Sequence, residues 1–302
     1  MLQSRHVIWI IPSRGQESNM GFVFWLEDYP RYIERVGRAT CIDVTRRTDP
    51  ACIDQVWANL AAVVQSYGAP WVVQVWTKDA AGVLARGRSV LRCLRRDGTT
   101  LAAQVTVTGL GGTRWEPRTP HAPFAGLPEL IDLMGGPQHV KWRYDPVIPS
   151  VHELERFRRL ARQAAALGIS RCVINFLAPP GRYKRVDARL AAPGVLPGWA
   201  DGMPGYDDAW RAETAASLVK AGADYGLSVA CCAESAGLSD EVPGLQPAAC
   251  GDHEWFVALS GRDPGRAPTS GSRRGCGCAA YFDVGLYGQR RRCHGCLYCY
   301  AG

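Results

Sequence analysis

The sequence predicts an α/β fold with parallel strands, a (β/α) barrel or partial barrel, that ends in a cysteine-rich metal-binding tail. Three observations carry that prediction. Six short β-branched or apolar runs are each followed by a loop or a segment of helical spacing, the alternation that builds a parallel sheet. Polar side chains recur directly after those runs, where a barrel gathers its functional groups. The last thirty residues, Arg273 to Gly302, carry a C-x-C pair and a C-x2-C-x2-C run.

Residues 1–38 read as an extension in front of the repeating pattern, with HVIWIIPS apolar enough for a strand and WLEDYPRYIERVGR fit for a short helix. The barrel-like domain then spans 39–260. ATCIDVT is the first strand, and CIDQVWANLAAVVQSYG has helical spacing that stops at Gly68. WVVQVW leads into helix AAGVLARG, and LAAQVTVT into a Gly-rich loop. FAGLPELIDLMGG is a helix, HVKWRY a strand, and VHELERFRRLARQAAALG a long amphipathic helix. RCVINF, a Pro/Gly-rich loop over 178–205, a helix near Asp207 to Tyr225 and strand LSVACC complete the repeat. Beyond Cys232 the pattern stops, and 261–302 form the tail.

The polar groups fall at strand ends: Arg46, Arg47 and Asp49 after the first, Lys78 after the second, Thr108 after the third, Arg143 and Asp145 after the fourth, Asn175 in the fifth, Cys232 and Glu234 after the sixth. Any one of them reads as a cap or a solvated loop charge. Their recurrence at every strand end points to one shared mouth. Lys78, Asp145 and Glu234 are the candidate catalytic groups, Glu234 standing where a barrel places a general base or a ligand-binding carboxylate. Arg46, Arg47 and Arg143 suit a carboxylate or phosphate through bidentate contacts, with Asp49 and Asn175 completing the substrate- or cofactor-binding rim. Arg143 and Asp145 also read as one internal salt bridge.

Twelve cysteines in a chain of 302 residues, without an export signal, favour metal or redox chemistry over a disulfide scaffold. No run of about eighteen apolar residues exists, so no membrane partner and a cytoplasmic location are expected. Close Cys spacing lets Cys293, Cys296 and Cys299 converge on one centre, either iron–sulfur or a zinc knuckle completed by Cys276, Cys278 or His294. Arg290, Arg291 and Arg292 would favour thiolates there. Cys232 and Cys250 read either as metal-binding or as small core residues, and Cys41, Cys52, Cys93 and Cys172 as core or chance cysteines. His6, His121, His139 and His152 lack ligand spacing and are expected on the surface. The formal charge of +7 admits an anionic partner, nucleic acid included, but no aromatic-interleaved basic stripe supports one. No G-x-G-x-x-G and no P-loop follows any strand.

The order TRRTDP, VWTK, VTVTG, KWRYDP, INF, CCAES, ACGD, CGC…FDVGLY and CHGCLYCYA resembles a mainly bacterial family known as domain of unknown function eighteen forty-eight. The resemblance runs from about Ala39 to Ala301, and the family is regarded as similar to radical-SAM proteins. It implies a [4Fe–4S] cluster on Cys293, Cys296 and Cys299 with one iron free for S-adenosylmethionine. An external electron donor of flavodoxin or ferredoxin type and a small-molecule or peptide substrate at the barrel mouth go with it. Two other readings stay open. One is a metal-dependent barrel hydrolase or lyase with a structural zinc tail, using Glu234, Asp145 and Asp49. The other is a nucleic-acid-acting repair protein, because spore photoproduct lyase shares the CxYCY ending.

Overall fold

The computed structural model describes residues 26–232, 237–265, 267–270 and 277–301. The segment HVIWIIPS, Glu234 and Cys276 lie outside the described residues. Eight strands form one sheet in the order β7-β6-β5-β4-β3-β2-β1-β8, and every pairing is parallel. The strands are β1 (Cys41–Val44), β2 (Val72–Thr77), β3 (Thr100–Thr106), β4 (Val140–Val147), β5 (Arg171–Phe176), β6 (Ser228–Cys232), β7 (Gln246–Ala248) and β8 (Phe282–Asp283). The first six are the runs that the sequence marks as strands. The last two are too short to show a period.

Alternation along each strand divides two environments. Ile42, Val44, Val73, Val75, Leu101, Ala103 and Val105 point outward into the main apolar core. There they meet the helices, among them α2 (Asp54–Tyr67), α3 (Ala80–Arg96), α4 (Leu127–Met134), α5 (Leu154–Ala166) and α7 (Asp208–Ala223). The Pro/Gly-rich loop adds a short helix, α6 (Lys184–Leu190). On the other face, Asp43, Gln74 and Gln104 are buried and bonded in series. Gln74 Nε2 donates to Asp43 Oδ1 at 2.9 Å, and Gln104 Nε2 to Gln74 Oε1 at 3.1 Å. These polar rungs occupy part of the sheet interior, while helix α8 (His253–Ser260) fills the end where the strands begin with Trp255 and Phe256 against Cys41, Trp71, Val72 and Ala102.

The two ends of the chain frame the sheet. α1 (Tyr29–Val36) buries Tyr29 and Tyr32; Tyr29 meets Phe282 edge-on at 4.9 Å, and Tyr32 Oη donates to Cys41 O at 2.9 Å. β8 lies beside β1 through two residue pairs, and Asn59 Nδ2 holds the following carbonyl of Val284 at 2.9 Å. Gly285 makes this approach possible, since a Cβ there would stand 1.9 Å from Thr45 Oγ1. Among the described residues no ladder joins β7 to β8. The seam is crossed instead by Ala279 N, which donates to Gly251 O at 2.8 Å. No described helix is long and apolar enough to cross a membrane.

Candidate active site and metal centre

A cavity of about 520 Å³ opens at the C-terminal ends of the strands. Its lining brings together Arg46, Arg47, Asp49, Lys78, Arg143, Asp145 and Asn175 with Cys293, Cys296 and Cys299 of the tail, and with Cys232, Cys250 and Cys278. Thr108 does not line it but accompanies Lys78 through Glu116, a residue that the sequence reading missed.

Asp49 fixes the tail to the first strand. Its carboxylate accepts from Lys78 N at 2.5 Å, Ala51 N at 2.9 Å, Thr77 Oγ1 at 2.8 Å and His294 Nε2 at 2.8 Å. Burial alone would raise this carboxyl, but the His294 charge and these donors hold it below its ordinary value. Burial works against the imidazolium in turn, and Asp49 lifts His294 to about 9. With its lone pairs occupied, Asp49 is a positioning group. His294 Nε2 also lies 3.7 Å from Cys52 Sγ. Among the described residues Cys52, Cys293 and His294 are gathered with their ligand atoms within 4.8 Å of one another. Cys52, which reads from sequence as a core or chance cysteine, therefore belongs to the site. A hydrogen bond from Cys52 is the main reason the Cys293 thiol is lowered to about 6. Asp49 N adds a contact to Cys293 Sγ at 3.4 Å. Burial pushes Cys296 up to about 12 and also raises Cys299.

Glu116, 1% exposed, is the second anchor. It accepts from Lys78 Nζ at 3.0 Å, from Thr108 Oγ1 at 2.7 Å and from Tyr298 Oη, which stands between the last two cysteines of the run. Burial opposes both charges of the Lys78–Glu116 pair, but each holds the other ionised. Lys78 thus presents a fixed positive charge to the cavity.

The tail is held by arginine forks on its carbonyls. Arg118 Nε donates to Cys293 O at 2.7 Å and its Nη2 to Arg290 O at 2.6 Å; Arg189 Nε donates to Leu297 O at 2.8 Å. Arg290 reaches Cys296 O at 3.0 Å and Gly295 O at 2.7 Å. Gly295 sits at φ 74°, and a Cβ there would lie 2.7 Å from the Arg118 guanidinium. Arg290 therefore shapes the cysteine loop as well as lending it charge.

On the opposite wall Arg46 is clamped between rings, its guanidinium carbon 3.8 Å from the Tyr281 centroid and 4.7 Å from that of Trp76. It pairs with Asp43, and Arg143 pairs with Asp145. Arg47 Nε lies 3.7 Å from Asp283. Among the described residues, three buried atoms on this lining have no hydrogen-bond partner: Arg46 Nη2, Trp76 Nε1 and Asn175 Oδ1. Two donors and one acceptor left open around one cavity are what a polar ligand would satisfy. Cys278 lies with Cys232 and Cys250 on this side rather than in the Cys52–Cys293–His294 group. There Cys250 is lowered well below an ordinary thiol, first by hydrogen bonds from Cys232 and Cys278 and, against burial, by Arg143 and Arg46.

The fold and site define a class: a parallel α/β barrel-like protein whose C-terminal rim combines cysteines with fixed cations. The chain belongs to the family described as Domain of unknown function (DUF1848), whose profile matches residues 59–301. No curated protein matches it. Solved structures include the carboxyl transferase domain of Rhizobium etli pyruvate carboxylase in three forms. The Y628A form with pyruvate is 15% identical over 74% of this chain and 31% of its own, at TM-score 0.31. The form with pyruvate and biocytin is 16% identical over 74% and 31%, at 0.32, and that with 3-hydroxypyruvate 12% identical over 97% and 54%, at 0.29. This chain thus spans about a third to a half of those chains, and likeness at that level bears on no functional argument.

Proposed function

We propose that the protein is an iron–sulfur enzyme of radical-SAM type, with Cys293, Cys296 and Cys299 as the cluster ligands. The observation that carries this reading is the shared lining: the three tail cysteines border the same cavity as Arg46, Lys78, Arg143 and Asn175. When bound, the cluster supplies an electron for reductive cleavage of S-adenosylmethionine, chemistry that belongs to the cofactor. The chain's own residues bind and orient. Arg46 Nη2 and Asn175 Oδ1, one donor and one acceptor without partners, suit the carboxylate and ammonium of an amino-acid moiety. Lys78 and Arg143 offset anionic charge near the thiolates, and Asp49 with Glu116 keeps the tail in register. Cys293→Ala, Cys296→Ala and Cys299→Ala are each expected to lose iron and sulfide on anaerobic purification; unchanged iron in all three would sink the proposal.

A second reading has its own observation. Cys52, Cys293 and His294 are close enough for a single zinc ion, which would make the tail a structural clasp on a barrel hydrolase or lyase. Stoichiometric zinc without visible absorption, lost in Cys52→Ser, would favour it.

A further inference from the structure

On the β6/β7 side of the cavity three cysteines from separate parts of the chain meet: Cys232 at the end of β6, Cys250 just after β7, and Cys278 four residues before β8. Cys232 Sγ and Cys250 Sγ are 3.3 Å apart, and Cys278 Sγ accepts from the backbone N–H of Cys250. We propose that Cys232, Cys250 and Cys278 bind a single thiophilic divalent metal ion that staples the seam between β7 and β8, with its fourth position turned to the cavity.

The surroundings are built for thiolates. Cys278 Sγ accepts from Cys250 N at 3.1 Å and Gly251 N at 3.4 Å, and Arg143 Nη1 donates to Cys250 Sγ at 3.3 Å. Amide and guanidinium donors aimed at sulfur stabilise the charged form and orient a ligand. Arg143, with Arg46 beside Trp76, offsets the negative charge that three thiolates and one dication leave over. A tetrahedral ion with metal–sulfur bonds of about 2.3 Å holds its sulfurs about 3.8 Å apart; the three sulfurs here do not all lie within 4.8 Å of one another, so ligation opens the 3.3 Å Cys232–Cys250 pair slightly and draws Cys278 inward toward Cys232. Binding releases the thiol protons to solvent as the sulfurs ligate. All three cysteines line the cavity, which leaves the fourth position to a water or to a donor atom of a bound ligand. Among the described residues, the two amide contacts to Cys278 Sγ and the Ala279–Gly251 backbone hydrogen bond are what cross the seam, so a metal there has a mechanical task.

The test uses the full chain with Cys293→Ser, Cys296→Ser and Cys299→Ser, which removes the tail ligands and so separates this site from the iron–sulfur reading. Reduced and metal-free, it is titrated anaerobically with Co²⁺ alone. About one equivalent should bind with thiolate-to-cobalt charge-transfer absorption, and adding Cys232→Ser and Cys250→Ser should abolish it. The idea is overturned by absence of that absorption, by its survival without Cys232 and Cys250, by stoichiometric acid-labile sulfide in the tail variant, or by a Cys232–Cys250 disulfide in the native protein. Should the tail variant fail to fold, Cys250→Ser alone in the otherwise native chain must lose one metal equivalent while keeping the tail iron; loss of none refutes the site.

Discussion

Glu116→Gln is the sharpest probe of how the rim is held. The substitution preserves shape and one carbonyl oxygen, so Thr108 and Tyr298 keep an acceptor, but Lys78 loses the carboxylate 3.0 Å from its ammonium. Lys78 is 15% exposed and Glu116 1%, which places the pair among buried salt bridges. Breaking one partner of such a pair costs about 3–5 kcal/mol, and the retained amide acceptor puts the expected loss near the lower end, about 3 kcal/mol. For a chain of this size that corresponds to a fall in melting temperature of roughly 6 °C. Urea unfolding of wild type, Glu116→Gln, Lys78→Met and the double variant should show strong coupling, the double losing much less than the sum. Glu129→Gln, which breaks the exposed pair with Arg88, should leave the midpoint where it was. A Glu116→Gln protein that melts with the wild type, or a cycle without coupling, would refute the account of this anchor.

Two further outcomes follow from the same geometry. His152, expected from sequence on the surface, is half-buried with Nδ1 3.0 Å from Tyr144 Oη; burial first, then Arg156, lowers it to about 4, with Glu153 opposing. The unfolded chain takes up its proton near pH 6.5 and the folded one only near 4, so stability should fall as pH drops through that window. Discounted for partial exposure, the shift corresponds to about 1–2 kcal/mol; the difference between wild type and His152→Gln in urea melts at pH 7 and pH 4.5 should show it, and identical pH slopes would contradict it. Gly285→Ala drives a methyl into Thr45, which should cost about 1–3 kcal/mol and weaken the β1–β8 pairing, read as faster hydrogen exchange of Val284 N. Unchanged exchange and stability would show that the tail seats elsewhere.

Much of the fold could be read in advance because it rests on local signals. The six regular strands are β-branched runs long enough to declare themselves, and α5 shows its buried face through Phe157, Leu160, Ala161 and Ala164. Gln246–Ala248 and Phe282–Asp283 could not be read, since strands this short exist only by pairing with β6 and β1. The rim positions were legible because they fall at or near strand C-terminal ends, and the tail cysteines because of their spacing. Glu116 and Cys52 were not. Glu116 sits in a Gly-rich loop without periodicity, and its importance comes from Lys78 and Tyr298 arriving from two other segments to join Thr108 of its own loop. Cys52 precedes α2 and gains its meaning only from His294 and Cys293, at the far end of the chain. Cys278 reads naturally with the other tail cysteines, yet the fold sets it beside Cys232 and Cys250 at the seam.

The central claim is that Cys293, Cys296 and Cys299 hold a cluster with an open iron facing the cavity. Anaerobic purification with iron and sulfide analysis, followed by electron paramagnetic resonance of the reduced protein with and without S-adenosylmethionine, tests it most directly. The account predicts about four irons and four sulfides attributable to the tail and a spectrum that S-adenosylmethionine perturbs. Zinc without sulfide, or a spectrum indifferent to S-adenosylmethionine, would contradict it and leave the tail as a clasp on a barrel whose chemistry lies with its polar rim.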